Sequence, residues 1–342
     1  MLMIFRTPGY YGKFRCIADK CSDNCCIGWE IDIDSETMDY YSSVDGSFGN
    51  RLKNSIKDGS FVLTEGERCP FLNSRNLCDI YTELGEAHLC QICTDHPRFY
   101  EWFGNVKEGG VGLCCEAAAK LILSEDMTLT ETVIPDEDCD ECDSELYDIL
   151  LSARDTIIKH LQNDSFPEAV CTMLDFGEEL QFRIDNGDFT LPGWERTTQA
   201  ETPDIQAIME FYASLEPIDE NWRPYIERCM AAEGGYFREH EVYLRRIAVY
   251  SIFRFFMKGV FDGEIISRVK LAAVSAWMVG HLVFCEGREA DIAGTAKNYS
   301  KEVEYSEENL EALADAFYDE ECFSTPRIMG MFADMQVSDI KM

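Results

Sequence analysis

Basic charge is what this chain lacks most: 30 Lys and Arg stand against 64 Asp and Glu, a formal net charge of −34. Nucleic-acid binding needs a clustered cationic footprint, and no basic block exists to supply one. An anionic membrane surface is excluded as a partner for the same reason. A basic protein, or one offering a lysine, would be attracted. Long apolar runs are also missing. The longest, Leu271 to Cys285, is fifteen residues closed by Lys270 and Glu286. A bilayer span takes roughly 20 residues, so this run predicts a buried core helix. The opening MLMIFRTPGYYGKFRC holds no apolar stretch of signal-peptide length. The expected location is therefore cytoplasmic, where thiols stay reduced.

Familiar catalytic frames are absent too. There is no GxGxxG after a strand, no GxxxxGK[ST], no GxSxG and no HExxH. The glycines of KEGGVGLCC open onto cysteines rather than a βαβ unit, and read as a turn that brings Cys114 and Cys115 toward the other thiols.

Cysteine, by contrast, is abundant. Of 16 cysteines, Cys16, Cys21, Cys25 and Cys26 fall within CIADKCSDNCC, and Cys69, Cys78, Cys90, Cys93, Cys114 and Cys115 follow. Such crowding means either cross-links or a metal. With 46% hydrophobic residues in 342, the chain can bury a core without staples, which weighs against a disulfide scaffold. Thiolates are soft ligands for zinc, copper(I) or iron–sulfur clusters. Cys21 and Cys25 with Cys90 and Cys93 have the paired spacing of a zinc site, and a [4Fe–4S] cluster also needs four cysteines. His88 and His96 flank Cys90 and Cys93 and are alternative ligands. In extended backbone neighbouring side chains diverge, so one member of Cys25–Cys26 and one of Cys114–Cys115 can ligate while the other packs. Cys139 and Cys142 read as incidental surface thiols, and Cys171, Cys229, Cys285 and Cys322 as packed core residues. His281 reads as a core histidine rather than a catalytic one.

The organisation expected is mainly α. Residues 1–123 form an irregular cysteine-cluster domain with few short strands, in which bound metal supplies cohesion. Residues 124–143 are an acidic linker: from Ser124 to Leu150 there are eleven Asp or Glu and no Lys or Arg. Residues 144–342 carry apolar positions at 3–4 spacing and form an all-α helical domain. Asp34 or Ser35 caps a first helix, and Ser165, Pro167 and Glu168 suit the start of another.

Three segments, CIADKCSDNCCIGWEIDID, RCPFLNSRNLCDIYTELGEAHLCQICTDHPRF and GLCCEAAAKLIL, resemble the zinc- or iron-chelating CxxCxxCC cysteine-cluster family. With the helical second half and YSKEVEYSEENLEAL, the chain resembles the flagellin lysine-N-methylases within it. The resemblance implies S-adenosylmethionine-dependent methylation of flagellin lysines, with a cysteine-bound iron–sulfur cluster. It places Cys16, Cys21, Cys25, Cys26, Cys69, Cys78, Cys90 and Cys93 on the family's cysteine motif, with Cys114 as a ninth position. There this chain doubles a cysteine where one followed by a Pro-Glu-type helix start is expected. Asp95, Arg98 and Tyr100, beside the cysteines, are the candidate pocket residues for a lysine substrate. Two other functions stay open: a metal-binding scaffold or chaperone without a reaction, and a structural zinc site on a helical interaction module.

Overall fold

The computed structural model describes residues 2–135, 137, 142–232 and 234–333. Its strands are β1 (Leu2–Pro8), β2 (Ile56–Lys57), β3 (Ser60–Phe61), β4 (Arg98–Phe103), β5 (Val106–Val111) and β6 (Leu129–Pro135). Five short helices lie in the first third: α1 (Ser35–Ser43), α2 (Gly46–Asn54), α3 (Asp79–Leu84), α4 (Gln91–Asp95) and α5 (Glu116–Ile122). The rest is helical: α6 (Ser144–Asn163), α7 (Phe166–Asp185), α8 (Ile205–Ser214), α9 (Trp222–Cys229), α10 (Glu241–Phe255), α11 (Gly259–Asp262), α12 (Ile266–Glu286), α13 (Ile292–Val303), α14 (Glu307–Asp319) and α15 (Thr325–Ala333). The mainly α class is as expected, with 57% of residues helical and 11% in strands.

A four-stranded sheet has the order β4-β5-β1-β6. β1 pairs parallel with β5 and antiparallel with β6, and β4–β5 is an antiparallel hairpin. The acidic segment expected to be a linker thus supplies an edge strand. Its residues 129–135, LTETVIP, carry β-branched side chains on alternate positions, and Leu129 to Pro135 pair along all of β1. Of the acidic run proper, Cys139 lies outside the described residues, while Cys142 is half-buried against the main core.

Packing divides the chain differently from the expected 1–123, 124–143 and 144–342. One core joins Phe103 and Val111 of the sheet, with Tyr10, Phe14 and Leu113 from the segments that follow β1 and β5, to the buried faces of α5 through α15. A separate small core, built on Ile31, Ile33, Tyr41, Leu52, Phe61, Cys69, Phe71, Leu72, Ile80 and Cys90, belongs to an excursion between β1 and β4. The sheet therefore shares a core with the helices, and the cysteine lobe has a core of its own.

The apolar run around Trp277 lies in α12, which is long and apolar enough to cross a membrane by composition, yet 83% of its most apolar stretch is buried. It is a core helix, packed by α7 and α10. The sheet is pinned to α6 by a buried ion pair: Arg154 reaches Glu108 on β5 through two contacts of 2.5 and 2.7 Å. Arg6 on β1 contacts the same carboxylate at 2.9 Å. Burial alone would raise the Glu108 carboxyl; the two guanidiniums overcome it and hold it below the ordinary range.

Candidate metal centre

The cysteine lobe is held by local polar contacts rather than by long elements. Asp34 caps α1 through Thr37 N (2.9 Å) and also accepts from Gln91 N (2.8 Å) at the start of α4. One carboxylate thereby fixes two helix starts, and α4 begins between Cys90 and Cys93. Cys69 N donates to Cys26 O at 2.8 Å, tying the second cysteine segment to the first. A bridge between Leu72 and Cys78 closes the loop carrying Cys78. Tyr41 donates to His88 O at 2.8 Å, and Tyr40 stacks on the His88 ring at 4.0 Å.

These contacts gather Cys26, Cys69, Cys78, Cys90 and Cys93 in one small core. Cys90 and Cys93 share a sulfur–sulfur hydrogen bond of 3.3 Å. In this pair the shared bond favours a thiolate on Cys90 while Cys93 keeps its proton. Cys93 feels the charges of Cys90, Cys26 and Cys69, and Cys26 those of Cys25, Cys69 and Cys78. Burial pushes the Cys69 thiol up to about 11, and Cys78 rises for the same reason. Thiols so placed resist ionising together unless a cation compensates them.

A second set lies beside it. Cys25 bonds the Cys26 thiol and, against the opposing effect of burial, also His96, which together lower it to about 4. Cys115 feels the charges of Cys25 and Cys21. Cys21 donates to Asp23 O at 3.0 Å, and Ser22 bonds Glu116 through both its amide and its hydroxyl.

The donor chemistry fits a soft, thiophilic centre: several thiols share one lobe, and an imidazole stands beside Cys25. As they stand, no three His, Cys, Asp or Glu side chains among the described residues are arranged to hold a metal ion.

Other expected ligands are placed elsewhere. Cys16 is exposed, with the Ala18 amide donating to its sulfur at 3.4 Å. Cys114 is buried against Tyr305 and Arg254, and burial raises its thiol to about 12. Cys115, rather than Cys114, faces the loop thiols; at φ −100° and ψ 129° its backbone is extended, so the adjacent side chains diverge. His88 is occupied as a stacked ring on Tyr40.

Asp95, Arg98 and Tyr100 do come together. Both charged groups act electrostatically on the Tyr100 phenol, which burial raises and which bonds the Tyr11 hydroxyl at 3.0 Å. Arg98 lies over the Tyr11 and Phe14 rings at 6.0 and 5.2 Å. Tyr11 was not singled out in the sequence, because it sits in a Gly-Tyr-Tyr-Gly turn far from the cysteines in number.

A polar network then joins this region to the helices. Tyr250 donates to Glu304 at 2.8 Å and accepts from Leu113 N at 3.2 Å. Arg254 contacts Glu304 at 2.8 Å and covers the rings of Phe99 and Tyr305 at 5.0 and 4.8 Å. Gly112 leaves room for the Tyr305 hydroxyl, which a Cβ there would meet at 2.2 Å. Asp23, between the clustered cysteines, pairs with Lys297 at 2.8 Å and Lys301 at 3.4 Å on α13. Lys301, Glu304 and Tyr305, within the stretch YSKEVEYSEENLEAL, and Lys297 just before it therefore form a seam between the helical half and the cysteine segments.

That seam lies inside a recognisable domain. Residues 203–331 match the family described as the FliB lysine N-methylase C-terminal domain. The chain is FliB-like in this region. A flagellar biosynthetic protein FliU of Salmonella muenchen is 28% identical over 128 residues, covering 34% of this chain and 76% of that protein. A lysine-N-methylase of Salmonella typhimurium is 28% identical over 142 residues, covering 37% of this chain and 35% of the relative, and one of Salmonella choleraesuis matches to the same extent. The chain thus spans about a third of the length of the curated lysine-N-methylases it matches. No solved structure matches. The FliB-type domain begins beyond α7, so the cysteine lobe, the sheet and α5 to α7 lie outside the matched residues.

Proposed function

We propose that the protein is a protein-lysine N-methyltransferase that takes its methyl group from S-adenosylmethionine and acts on flagellin. The observation that supports this most is the FliB-type domain at residues 203–331, together with relatives named lysine-N-methylase. The net charge of −34 favours docking of a lysine-bearing partner. The methyl donor and the cluster rest on the resemblance of the cysteine segments rather than on these matches.

Transfer of a methyl group to an ε-amine requires a neutral nitrogen held in line with the sulfonium carbon, with water excluded. Lysine in water holds its proton up to a pKa of about 10.4. We assign the amine side of the site to Asp95, Arg98, Tyr100 and Tyr11. The Tyr100 phenol is raised by burial and keeps its proton, so it orients the amine by hydrogen bonding. Proton removal then falls to a carboxylate, and Asp95 is the one beside it. Cys26, Cys69, Cys78, Cys90 and Cys93, with Cys25 and Cys115 beside them, are the residues assigned to hold an iron–sulfur cluster in preference to zinc. When bound, it would supply cohesion to the lobe and fixed positive charge among the thiolates.

Anaerobic purification with iron, zinc and acid-labile sulfide analysis tests the cluster, and calorimetric titration with S-adenosylmethionine tests the donor. Methyl transfer to purified flagellin is read by peptide mass. Iron with equal sulfide, donor binding and methylated flagellin lysines are the expected results. Stoichiometric zinc without sulfide sinks the cluster. Metal loading without donor binding sinks the enzyme reading and leaves a metal-binding scaffold.

A further inference from the structure

A second group of thiols lies within the FliB-type domain, away from the cysteine lobe. Cys229 is the last residue of α9, and Cys285 lies in the final turn of α12. The Cys285 sulfur is 3.8 Å from the Cys229 carbonyl oxygen and 3.7 Å from His281 Nε2. The two side chains also act on each other, in the direction that favours ionisation of Cys229 over Cys285. His281 is fully buried and stacked on Trp277 at 4.8 Å. Burial holds the imidazole down to about 4, so it is neutral and leaves the thiols without a fixed cation. Cys229 is 3% exposed, whereas Cys285 is half-buried and reachable from solvent. Ordinary core packing explains a single buried cysteine but not a second one, from another helix, whose sulfur lies against the first residue beside a buried imidazole.

We infer that Cys229 and Cys285 are a redox modification site that closes to a reversible disulfide when the protein meets a peroxide. With peroxide, one of the two sulfurs gives up its thiol proton and takes one peroxide oxygen to become a sulfenic acid, releasing water. The neighbouring sulfur then attacks it, the S–O bond breaks and water leaves. Two thiols are oxidised by two electrons, one hydrogen peroxide is reduced to two waters, and both thiol protons end in water. The bond would fasten α9 to α12 and so restrain the domain that carries the seam to the cysteine lobe. This site does not depend on the proposed methyl transfer.

The test uses the full chain, purified anaerobically and exposed to graded hydrogen peroxide. The sample is acid-quenched, unfolded, alkylated and digested with trypsin, which releases Cys229 in the peptide 229–238 and Cys285 in 271–288. The expected product is a cross-linked pair of these two peptides. It forms in most molecules, is reversed by dithiothreitol and is absent in Cys285→Ser. The inference is overturned if both cysteines remain alkylatable at peroxide levels that already oxidise exposed Cys16. Separate oxygen adducts on the two sulfurs without a cross-link would overturn it equally. Because the reading is made on the wild-type chain, a poorly folding variant does not rescue it. Absence of flagellin methylation by the reduced chain, with the cross-link still forming on oxidation, would count against the proposed enzyme only.

Discussion

Arg154→Met is the sharpest test of how the helices hold the sheet. Arg154 is fully buried, and its guanidinium meets both oxygens of Glu108, itself 4% exposed. Removing one partner of a buried pair costs about 3–5 kcal/mol, because the remaining charge is left in a poor medium. Here Arg6 stays at 2.9 Å from the same carboxylate, so the expected loss sits at the lower end, about 3 kcal/mol. The double variant Arg154→Met with Glu108→Leu should lose less than the single change, since no carboxylate is then stranded. The pH dependence follows from the sign of the Glu108 shift. Its folded pKa is lowered, so its stabilisation is present above the unfolded value of about 4.3 and fades as pH falls through the folded value. That acid-side slope should be shallower in Arg154→Met. Urea unfolding followed by far-ultraviolet circular dichroism at pH 7 and at several lower pH values reads both effects. A loss below about 1 kcal/mol, or an unchanged slope, would refute the claim that this pair clamps α6 to β5.

Three further outcomes are expected. Gly112→Ala puts a Cβ 2.2 Å from the Tyr305 hydroxyl; it should cost about 1–3 kcal/mol in urea unfolding and lower metal content per chain, since the turn leads into Cys115. Asp34→Ala removes the acceptor from both Thr37 N and Gln91 N, and should lower the midpoint of thermal unfolding by an amount matching about 1 kcal/mol per lost cap. Cys115→Ser should reduce bound metal measured by mass spectrometry of the anaerobic protein, whereas Cys114→Ser should leave loading unchanged; equal losses would remove the distinction between the neighbours.

Features carried by neighbouring residues were legible in the sequence. The thiol crowding, the cap at Asp34, the start of α7 before Pro167 and the buried run around Trp277 all depend on short spacings. What escaped depends on distant partners. Glu108 and Arg154 are one charge each among many, and only the fold makes them a pair. Arg254 and Glu304 meet across α10 and the residue after α13, with nothing nearby in the chain to announce it. β6 was hidden because the acidity around it outweighed its short alternation, and β1 because its partners lie more than ninety residues on. Which of Cys114 and Cys115 faces the loop thiols depends on backbone dihedrals that composition cannot give.

The order of strands carries a consequence for how the chain comes to be assembled. β1 emerges from the ribosome early, but its neighbours are residues 106–108 and 129–135. Until those follow, β1 has no ladder to join, and pairings of such long separation form late. The segment bearing Cys26, Cys69, Cys78, Cys90 and Cys93 is made wholly within that interval, and its own contacts are local. The thiols of the lobe can therefore come together while the sheet is still open. Joining β5 and β6 to β1 then shuts the two ends of the excursion together, so the lobe is tied off by synthesis order.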